Sequence, residues 1–593
     1  MRTRKAKDRS RLIQAAMGQI PCDLTIGNVQ FFNVITGEIY PASVDILDGF
    51  VVLVREEGQE AVLPSRSYYD GQGRYLIPGY IDTHMHIEST MMIPENLARA
   101  ILPWGTTTIC TDPHEIGNVM GLDGVRFMLE NAKKSKLRQY VLAPSCVPSL
   151  PGMENAGAEF YAEEVGELLD MDDVVGIAEI MDYVGVMHDS ERMHTIIDEG
   201  LRRGMFLQGH APYCFGRELA AYRIGGPVSD HESVNADEVR AKLRAGMHIN
   251  LRASSLIDNL SFLVDGCKDQ PWRDFVSVCT DDVHAKDLLT VGHINNVVRK
   301  AVASGLDGRE VVKMATLNAA REYGFDDLGA IAPGYIADIQ LVDALDGSRP
   351  KAVFTEGVLV AEDGKYLGGD CKTADYDLPN TVNMPQITGP ESFVLRVPEG
   401  YTGDTIRVNV MVSEDGNRIL RHVEPVELPV RDGAVDISGD PTLVFVCCAN
   451  RYGRGGKTIA VYRDFGLERG ALASTVSHDS HNFTVSYHDP KDAFRAAEIL
   501  RACGGGVCVI DGAEETHIAL PAAGLMSQKP CAEVADEIAA VQAALDANSG
   551  GRLTLLATAV MALPVLPSVV ITDMGLVNGA TQTFVPVFAD AEA

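Results

Sequence analysis

The sequence contains no CxxC pair, the spacing through which cysteines commonly hold a structural zinc ion. Its twelve cysteines lie at unpatterned positions, apart from the neighbours Cys447 and Cys448, and do not form the dense framework of a disulfide-stapled protein. Reduced thiols are the simpler interpretation. We therefore expect a cytoplasmic protein, because thiols stay reduced in that compartment.

Positive charge is also scarce, since 51 basic residues face 82 acidic ones and give a formal net charge of −31. Phosphate backbones and anionic lipid headgroups repel such a surface, which argues against nucleic acid and against a membrane as general partners. A small neutral or weakly charged molecule fits this charge better as a substrate.

Two stretches could be mistaken for a secretory or a membrane-spanning segment, and neither is predicted to be one. The basic stretch MRTRKAKDRSRLIQAAMG is not followed by an apolar run, so it predicts a short surface helix and not a secretory signal. Leu553 to Ile571 lacks charges, but Pro564 and Pro567 interrupt it. This segment therefore predicts a buried strand or helix followed by an extended loop.

What the chain does contain is a long series of alternating strands and helices. Its 593 residues exceed one ordinary domain, and 46% hydrophobic with 22% charged residues is typical of a globular protein. From residue 75 apolar strands alternate with amphipathic helical stretches, the pattern of parallel βα units. Eight strands are predicted before residue 290, the number that closes a TIM barrel: Leu76–His86, Thr106–Asp112, Gln139–Ser145, Val174–Ile180, Met205–Ala211, Val228–Ser233, Met247–Ser254 and Val276–Asp282.

The predicted architecture is α/β, with a (β/α)8 TIM barrel over residues 75–325. Residues 1–74 form an N-terminal segment and part of a composite β domain, to which residues 326–375 return with two further groups of short strands. Residues 376–593 form a C-terminal α+β domain, in which Pro530 to Asn548 is predicted to be a helix.

The stretch Tyr75 to Thr90, YLIPGYIDTHMHIEST, carries the first candidate site residues. In an extended strand the imidazoles of His84 and His86, two residues apart, project from the same face. This arrangement can present both rings to one metal ion, provided that other strands supply further ligands.

Later strands end in the same types of side chain. The active sites of TIM barrels lie at the C-terminal ends of the strands, so these residues are expected to converge on one rim. Four imidazoles and two carboxylates are enough for two metal ions, with Glu179 able to bridge them through its two oxygens. The predicted ligands are His84, His86, Glu179, His210, His231 and Asp281, with Asp282 adjacent.

Several motifs together resemble a known family. PGYIDTHMH, GIAEIM, GHA, SDHE and TDD, with GYIADIQLVD after the barrel, resemble the amidohydrolase superfamily. HMHIEST, TDPHEIGN, LAPSCVPSLPG, CTDD and the distal VSHDSHN resemble, more narrowly, the adenine deaminase family. The resemblance covers most of the chain, including the third region.

This resemblance implies metal-dependent hydrolysis of adenine, a small-molecule purine, to hypoxanthine and ammonia. It implies two divalent metal ions, Mn²⁺ or Fe²⁺, with Zn²⁺ also compatible, held by the residues at the six predicted ligand positions. A hydroxide bridging the ions then attacks C6, because metal coordination lowers the pKa of water toward neutrality. Asp281 is expected to accept the proton of this hydroxide and pass it to the leaving amine.

A further acid must protonate the ring nitrogen beside C6. The loop Thr111 to Asn118, TDPHEIGN, follows the second predicted strand and lies at the same rim. We predict His114 and Glu115 of this loop as catalytic residues in proton transfer. Asp112 and Glu88 are predicted to bind the substrate.

Two distal motifs have weaker patterns. His478 and His481 of HDSH could bind another metal ion or reach the active site from the third region. Because they are three residues apart, they do not project from the same face of a strand. We therefore favour a structural role, in which this motif packs the third region against the barrel by hydrogen bonds. The segment GRGGKT lacks the spacing of a phosphate-binding loop and is interpreted as a hairpin turn.

Three alternatives remain open. Asp182, where the family usually has an Asn-like residue, adds charge near the site and allows a related aminopurine as substrate; Tyr452 stands where histidine is frequent. Hydantoinase and dihydroorotase relatives, which hydrolyse cyclic amides, commonly use a carboxylated lysine on strand four, where this chain has Glu179. A non-catalytic interaction subunit is the third alternative, although such relatives usually lose ligands. We expect a homo-oligomer, a dimer.

Overall fold

The computed structural model describes residues 9–58, 62–255, 258–369, 373–374, 376–414 and 417–590. The structure contains the predicted N-terminal helix from Arg9 to Ala16. Residues 1–8, which the sequence also assigned to this helix, lie outside the described residues. The domain boundaries drawn from the sequence stay a prediction.

Strands from both flanks of the barrel form one nine-stranded sheet, which confirms the composite β domain. Tyr75–Pro78 joins the two flanks, since it pairs in parallel with the first strand and antiparallel with Ile339–Val342. The nine strands are Cys22–Phe32, Ile39–Leu47, Phe50–Glu56, Ser65–Asp70, Tyr75–Pro78, Ile339–Val342, Ala352–Thr355, Val358–Glu362 and Lys365–Tyr366.

The single predicted strand Leu76–His86 is wrong, because the chain changes sheets within it. Tyr75–Pro78 belongs to the composite sheet and Tyr80–Met85 to the barrel. Gly79 lies at the crossing, where a Cβ atom would approach Thr107 Oγ1 to 2.2 Å. Only a residue without a side chain fits this close approach.

Eight parallel strands form the barrel, five in one hydrogen-bonded run and three in another. The amide of Val228 donates to Leu207 O at 2.9 Å between the two runs, and the amide of Asp281 donates to His84 O at 3.0 Å where the last strand meets the first. The eight strands are Tyr80–Met85, Thr106–Thr111, Arg138–Ala143, Val174–Ile180, Phe206–Gly209, Ser229–Asp230, His248–Arg252 and Val276–Cys279. The predicted TIM barrel is therefore confirmed, with several strands shorter than expected.

Amphipathic helices surround the barrel, as their periodicity predicts. In Glu191–Arg203 the buried residues are Met193, Ile196, Ile197 and Gly200, spaced as one helical face. The other α-helices between the first and last barrel strands are Pro94–Ile101, His114–Ala132, Ala162–Leu169, Tyr183–Met187, Gly216–Ile224, Ala236–Arg244 and Leu260–Cys267. After the last strand come Ala285–Thr290, Ile294–Ala303, Gly308–Lys313, a π-helix Met314–Asn318 and Ala319–Glu322. Short 3₁₀-helices cover Glu88–Thr90 and Leu102–Trp104.

The third region is built on a second nine-stranded sheet and a small three-stranded sheet, with helices Pro490–Cys503 and Cys531–Ser549 and 3₁₀-helix Pro390–Phe393. The large sheet contains Thr405–Glu414, Asn417–Arg431, Ala434–Val435, Leu443–Ala449, Lys457–Arg463, Ala471–Ser474, Phe483–Tyr487, Gly506–Asp511 and Glu514–Ala519. The small sheet contains Val569–Ile571, Leu576–Asn578 and Thr583–Val585. GRGGKT lies in the connection between two antiparallel strands of the large sheet, as its interpretation as a hairpin turn predicts.

The third region packs directly on the barrel. Met91 and Leu97 of the barrel share one buried apolar cluster with Leu525 and Val534 of the third region. The amide of Ser527 also donates to Met91 O at 2.8 Å. This packing places segments of the third region over the C-terminal ends of the barrel strands.

The apolar segment near the C-terminus forms a 3₁₀-helix, Leu555–Met561, and then the strand Val569–Ile571. Within the described parts of the chain, no helix has both the length and the apolar character that crossing a bilayer requires. All the described cysteines are free thiols, and Cys371 lies outside the described residues.

Candidate active site and metal centre

The six predicted ligands meet at one end of the barrel. They come from the ends of strands one, four, five, six and eight, and all are buried except His210, which is partly exposed. Their donor atoms form overlapping groups suited to cations, among them His84 with His231 and Asp281, and Glu179 with His210 and His231. The structure thus brings together all six side chains that the sequence singled out.

Three of these residues face one another at the junction of the first and last strands. His84 Nε2 lies 3.1 Å from His86 Nε2 and 3.5 Å from Asp281 Oδ1. His86 Nε2 lies 3.3 Å from the same carboxylate oxygen. The backbone of Asp281 adopts φ of +61°, a left-handed conformation that Asp tolerates better than most residues.

Glu179 lies between the two halves of the cluster. Its Oε1 is 3.4 Å from His86 Nε2, and its Oε2 is 3.1 Å from His231 Nε2 and in contact with His210 Nδ1. Burial would raise the pKa of Glu179, but the neighbouring His210, His231 and His86 lower it well below its usual range. A charged carboxylate that faces both sides is suited to bridge two cations.

Outer hydrogen bonds fix the rings of the first two histidines. His84 Nδ1 lies 2.8 Å from Gln208 Oε1, and His86 Nδ1 lies 3.0 Å from the carbonyl oxygen of Asp112. Both acceptors require a proton on Nδ1, which leaves Nε2 with a free lone pair directed into the site. Such partners commonly orient metal-ligating histidines.

The donor set fits divalent cations. Metal–ligand bonds of about 2.1 Å separate neighbouring ligands by about 3.0–3.4 Å in octahedral or tetrahedral geometry, close to the separations seen here. His231 supports this independently, because its buried Nδ1 has no hydrogen-bond partner among the described residues and its buried Nε2 faces Glu179 Oε2 without a hydrogen bond of suitable geometry. Burial and His84 lower the pKa of His231 to about 3, so its ring is neutral and able to ligate.

The residues of the TDPHEIGN loop lie beside this centre at different depths. His114 lines the cavity, and its Nδ1 lies 3.0 Å from Asp112 Oδ2. Asp112, Glu115 and Glu88 are fully buried behind the cavity wall, and Glu88 Oε1 accepts the amide of Ile116 at 3.1 Å. Direct substrate contact by these three carboxylates, expected from the sequence, is therefore not what the geometry favours.

The cavity above the centre has walls from both the barrel and the third region. Barrel residues on the wall include His86, His114, His210 and Asp281. The third region adds His478 and Asp479 as well as the apolar side chains of Val560, Leu563 and Leu566. A flat, mostly apolar molecule with a few polar edge atoms suits such a cavity.

Arg252 is the main site residue that the sequence reasoning missed. It ends strand seven, lines the cavity, and donates from Nη1 to Asp281 Oδ2 at 2.8 Å. A signal was available, because an arginine inside the apolar strand MHINLRAS is unexpected in a buried barrel strand unless it has a partner. Gln208, two residues before His210, was missed in the same way.

Two departures from the family pattern lie close to the site but outside its cavity. The Asp182 carboxylate accepts the amide of Gly185 at 2.8 Å and so caps the helix Tyr183–Met187. Tyr452 donates its hydroxyl to Ser480 O at 2.5 Å and holds the segment that contains His478.

Comparisons with known proteins agree with this geometry. Residues 75–365 match the amidohydrolase family, and residues 418–583 match the adenine deaminase C-terminal domain. The chain is 38% identical over 584 residues to adenine deaminase 2 of Carboxydothermus hydrogenoformans, with 97% of this chain and 99% of that protein covered. It is 38% identical over 556 residues to adenine deaminase of Methanothermobacter thermautotrophicus, with 93% and 97% covered.

Among solved structures, a β-aspartyl dipeptidase from Fervidobacterium islandicum AW-1 matches 59% of this chain and 99% of its own at 19% identity, with a TM-score of 0.45. That similarity is too low to support a functional comparison. The sequence relatives extend over nearly the whole chain, barrel and third region alike. This protein therefore belongs to the adenine deaminase family of the amidohydrolases.

Proposed function

We propose that this protein hydrolyses adenine to hypoxanthine and ammonia at a centre that holds two divalent metal ions. The observation that carries the proposal is the convergence of four imidazoles and two carboxylates at one cavity, within a chain similar over its whole length to adenine deaminases. When bound, the ions supply Lewis acidity and lower the pKa of water at the site.

His84, His86 and Asp281 form one side of the metal site in this proposal. His210 and His231 form the other, and Glu179 lies between them. We propose that both ions are Mn²⁺ or both are Fe²⁺. Zn²⁺ also suits this mixture of imidazole and carboxylate ligands.

Asp281 is the proposed base and proton carrier. Its Oδ1 lies beside the His84 and His86 nitrogens, so a water molecule bound to an ion held by these residues would lie within reach of the Asp281 carboxylate. Its Oδ2 is held by Arg252, which keeps the carboxylate in one orientation. Asp281 takes a proton from the attacking oxygen and delivers it to the C6 amine, which leaves as ammonia.

The walls of the cavity orient the purine. His114, fixed by Asp112, is proposed to contact the ring edge, while the apolar Leu563 and Leu566 cover its face and exclude water. Glu88 and Asp112 contribute to substrate binding by holding the elements that carry His114 and Glu115. Glu115 and His114 remain the proposed residues of the proton-transfer system.

Other reactions fit the site less well. Hydrolysis of a cyclic amide in the hydantoinase manner commonly uses a lysine on strand four, where Glu179 stands here. A related aminopurine is the closer competitor, but Asp182 caps a helix and does not add a charge to the cavity wall, which favours adenine.

A purine panel tests the proposed function. The metal-free protein is loaded separately with Mn²⁺, Fe²⁺ and Zn²⁺, and ammonia release is measured with adenine, 2,6-diaminopurine and adenosine. Adenine is expected to give the highest kcat/KM. Equal or faster turnover of another aminopurine would reassign the substrate.

Assembly and compartment belong to the same proposal. We propose a homodimer of a cytoplasmic enzyme, and the free thiols of the described cysteines support the reducing compartment. Light scattering on a size-exclusion column measures the mass; a mass near the 64.0 kDa of one chain would contradict the dimer.

A further inference from the structure

A segment of the third region enters the mouth of the barrel. Residues Ser477 to Asn482 form a tight turn, in which the amide of His481 donates to Ser477 O at 2.7 Å. Asn482 Nδ2 donates to Asn155 O of the barrel at 2.8 Å and anchors this turn. His478 and Asp479 at its tip line the cavity.

His478 stands between the cavity and Glu115. Its Nδ1 lies 3.2 Å from Glu115 Oε1, and the Glu115 side chain is completely inaccessible to solvent. Glu115 is not among the residues that line the cavity, whereas His478 is. Among the described residues, the imidazole of His478 therefore connects the barrel carboxylate with the cavity.

His481 lies near the other oxygen of the same carboxylate without a hydrogen bond to it. Its Nε2 lies 3.8 Å from Glu115 Oε2, and its Nδ1 accepts the amide of Ser477 at 3.1 Å. Because Nδ1 is an acceptor, the proton of the neutral ring is on Nε2 and points toward Glu115. This tautomer leaves no lone pair for a cation, which argues against an additional metal ion bound by Glu115, His478 and His481.

The second nitrogen of His478 has no partner in the described part of the chain. The residue is 93% buried, with a relative exposure of 7%, and Nε2 makes no hydrogen bond. Since Nδ1 faces a carboxylate, Nε2 is on the ring edge directed away from Glu115. His478 Nε2 is thus available to donate to a ligand held in the cavity that the residue lines.

We propose that His478 is the catalytic residue that protonates the purine ring nitrogen beside C6, and that Glu115 positions it. This inference rests on the proposed adenine deamination. The N–H bond at His478 Nε2 breaks as an N–H bond forms at the ring nitrogen, so that charge does not accumulate in the ring when water adds to C6. The proton remains on the hypoxanthine product, and His478 regains one from solvent, equal to the proton released when water is deprotonated.

Several groups face His478 and decide when it carries this proton. Burial alone would lower the pKa of His478, but Glu115 and then Asp479 and Asp282 reverse the effect and raise this pKa to about 9. The titratable neighbours are Glu115 on the barrel helix, Asp282 after the last strand, Asp479 and His481 on the same turn, and His114 beyond Asp479. This direction favours the imidazolium form at neutral pH, and we expect kcat to fall at alkaline pH as the acid loses its proton.

Two variants separate this role from a packing role. In His478→Asn the amide nitrogen replaces Nδ1 and keeps a donor toward Glu115, but nothing replaces Nε2. In Glu115→Gln the imidazole stays while its negatively charged partner is lost. His517→Asn, at an exposed histidine of the same region, is the matched control.

The experiment measures kcat, KM and the pH profile for adenine with metal-loaded protein. His478→Asn is expected to lose about 10²-fold or more in kcat, the typical contribution of general acid catalysis, with less than about a threefold change in KM and no high-pH decline. Glu115→Gln is expected to keep the decline but move it to lower pH. His517→Asn should match the wild type, and equal metal content and thermal midpoints establish that the variants are folded.

Active His478→Asn enzyme, with kcat within about threefold of wild type and an unchanged pH profile, would overturn the inference and leave the proposed function intact. If His478→Asn does not fold, an unshifted decline in Glu115→Gln overturns it in the same way. A wild-type protein that releases no ammonia from adenine would refute both proposals.

Discussion

Arg252 donates a hydrogen bond from Nη1 to Asp281 Oδ2 at 2.8 Å, while the other oxygen of that carboxylate faces the His84 and His86 nitrogens. Both partners are buried, and Arg252 also contacts Glu232. The guanidinium cation of Arg252, on strand seven, thus holds in place Asp281, the residue after strand eight that is proposed to transfer protons. The pair connects the architecture of the barrel with its chemistry.

Arg252→Met should remove this support. The variant breaks the buried ion pair between Arg252 and Asp281, which costs about 3–5 kcal/mol of unfolding free energy. We expect a lower urea midpoint and a loss in kcat that exceeds any rise in KM, because the orientation of Asp281 matters most in the reaction step. Arg309→Met, which breaks a surface pair with Asp307, is the control and should change neither quantity. An Arg252→Met protein as stable and active as wild type would contradict this account.

A second buried ion pair supports the loops that follow strands five and six. Lys242 Nζ, fully buried, donates to Asp230 Oδ1 at 2.7 Å, and Asp230 Oδ2 accepts the amide of Ala211 at 2.9 Å. These contacts link the residues next to His231 and His210. Lys242→Met should therefore lower both unfolding free energy, by about 3 kcal/mol, and metal affinity. Competition with a fluorescent chelator measures the affinity, and Lys268→Met, at a half-exposed lysine, is the control.

Gly79 offers a test of the passage between the two sheets. Alanine there would place Cβ 2.2 Å from Thr107 Oγ1, so Gly79→Ala should destabilise the protein by about 1–3 kcal/mol. Adding Thr107→Ala removes the clashing atoms and should recover part of the loss in the double variant. Gly439→Ala, where no atom lies within 4 Å of the added Cβ, should leave the thermal midpoint unchanged. Full tolerance of Gly79→Ala would show that the crossing is less tightly packed than described.

His84→Ala tests the ligand assignment. His84 Nε2 is close to both His86 and Asp281, and no neighbouring donor replaces it in the described cluster. The variant should bind fewer metal equivalents and lose nearly all adenine turnover while keeping the barrel folded, as judged by circular dichroism. Normal deamination by His84→Ala would remove this residue from the metal site.

The sequence predicted the barrel and the convergence of its strand ends because both follow from local patterns. The strand Val174–Ile180 was predicted with the bounds observed, and Glu179 lies on it as expected. Pro78-Gly79 visibly interrupts the apolar run, but the sequence does not show that the chain changes sheets at this point. Only the close approach of Thr107 shows why the glycine stands there.

The sequence also did not show which site residues line the cavity and which lie behind its wall. Glu115 belongs to a motif at the correct rim, so direct substrate contact was a reasonable hypothesis. The structure places His478 in front of it, through a contact between residues far apart in the chain. The packing of the third region on the barrel places His478 between the cavity and Glu115. No periodicity or spacing in the sequence near either residue predicts this arrangement.

Metal titration of the metal-free protein tests the central claim most directly. Stoichiometric additions of Mn²⁺ are made while ammonia and hypoxanthine formed from adenine are measured together. We predict that activity rises until about two equivalents are bound per chain, with equal amounts of the two products, in keeping with six ligands around two ions. Adenine turnover that is complete without added metal, or absent at every metal loading, would contradict the account.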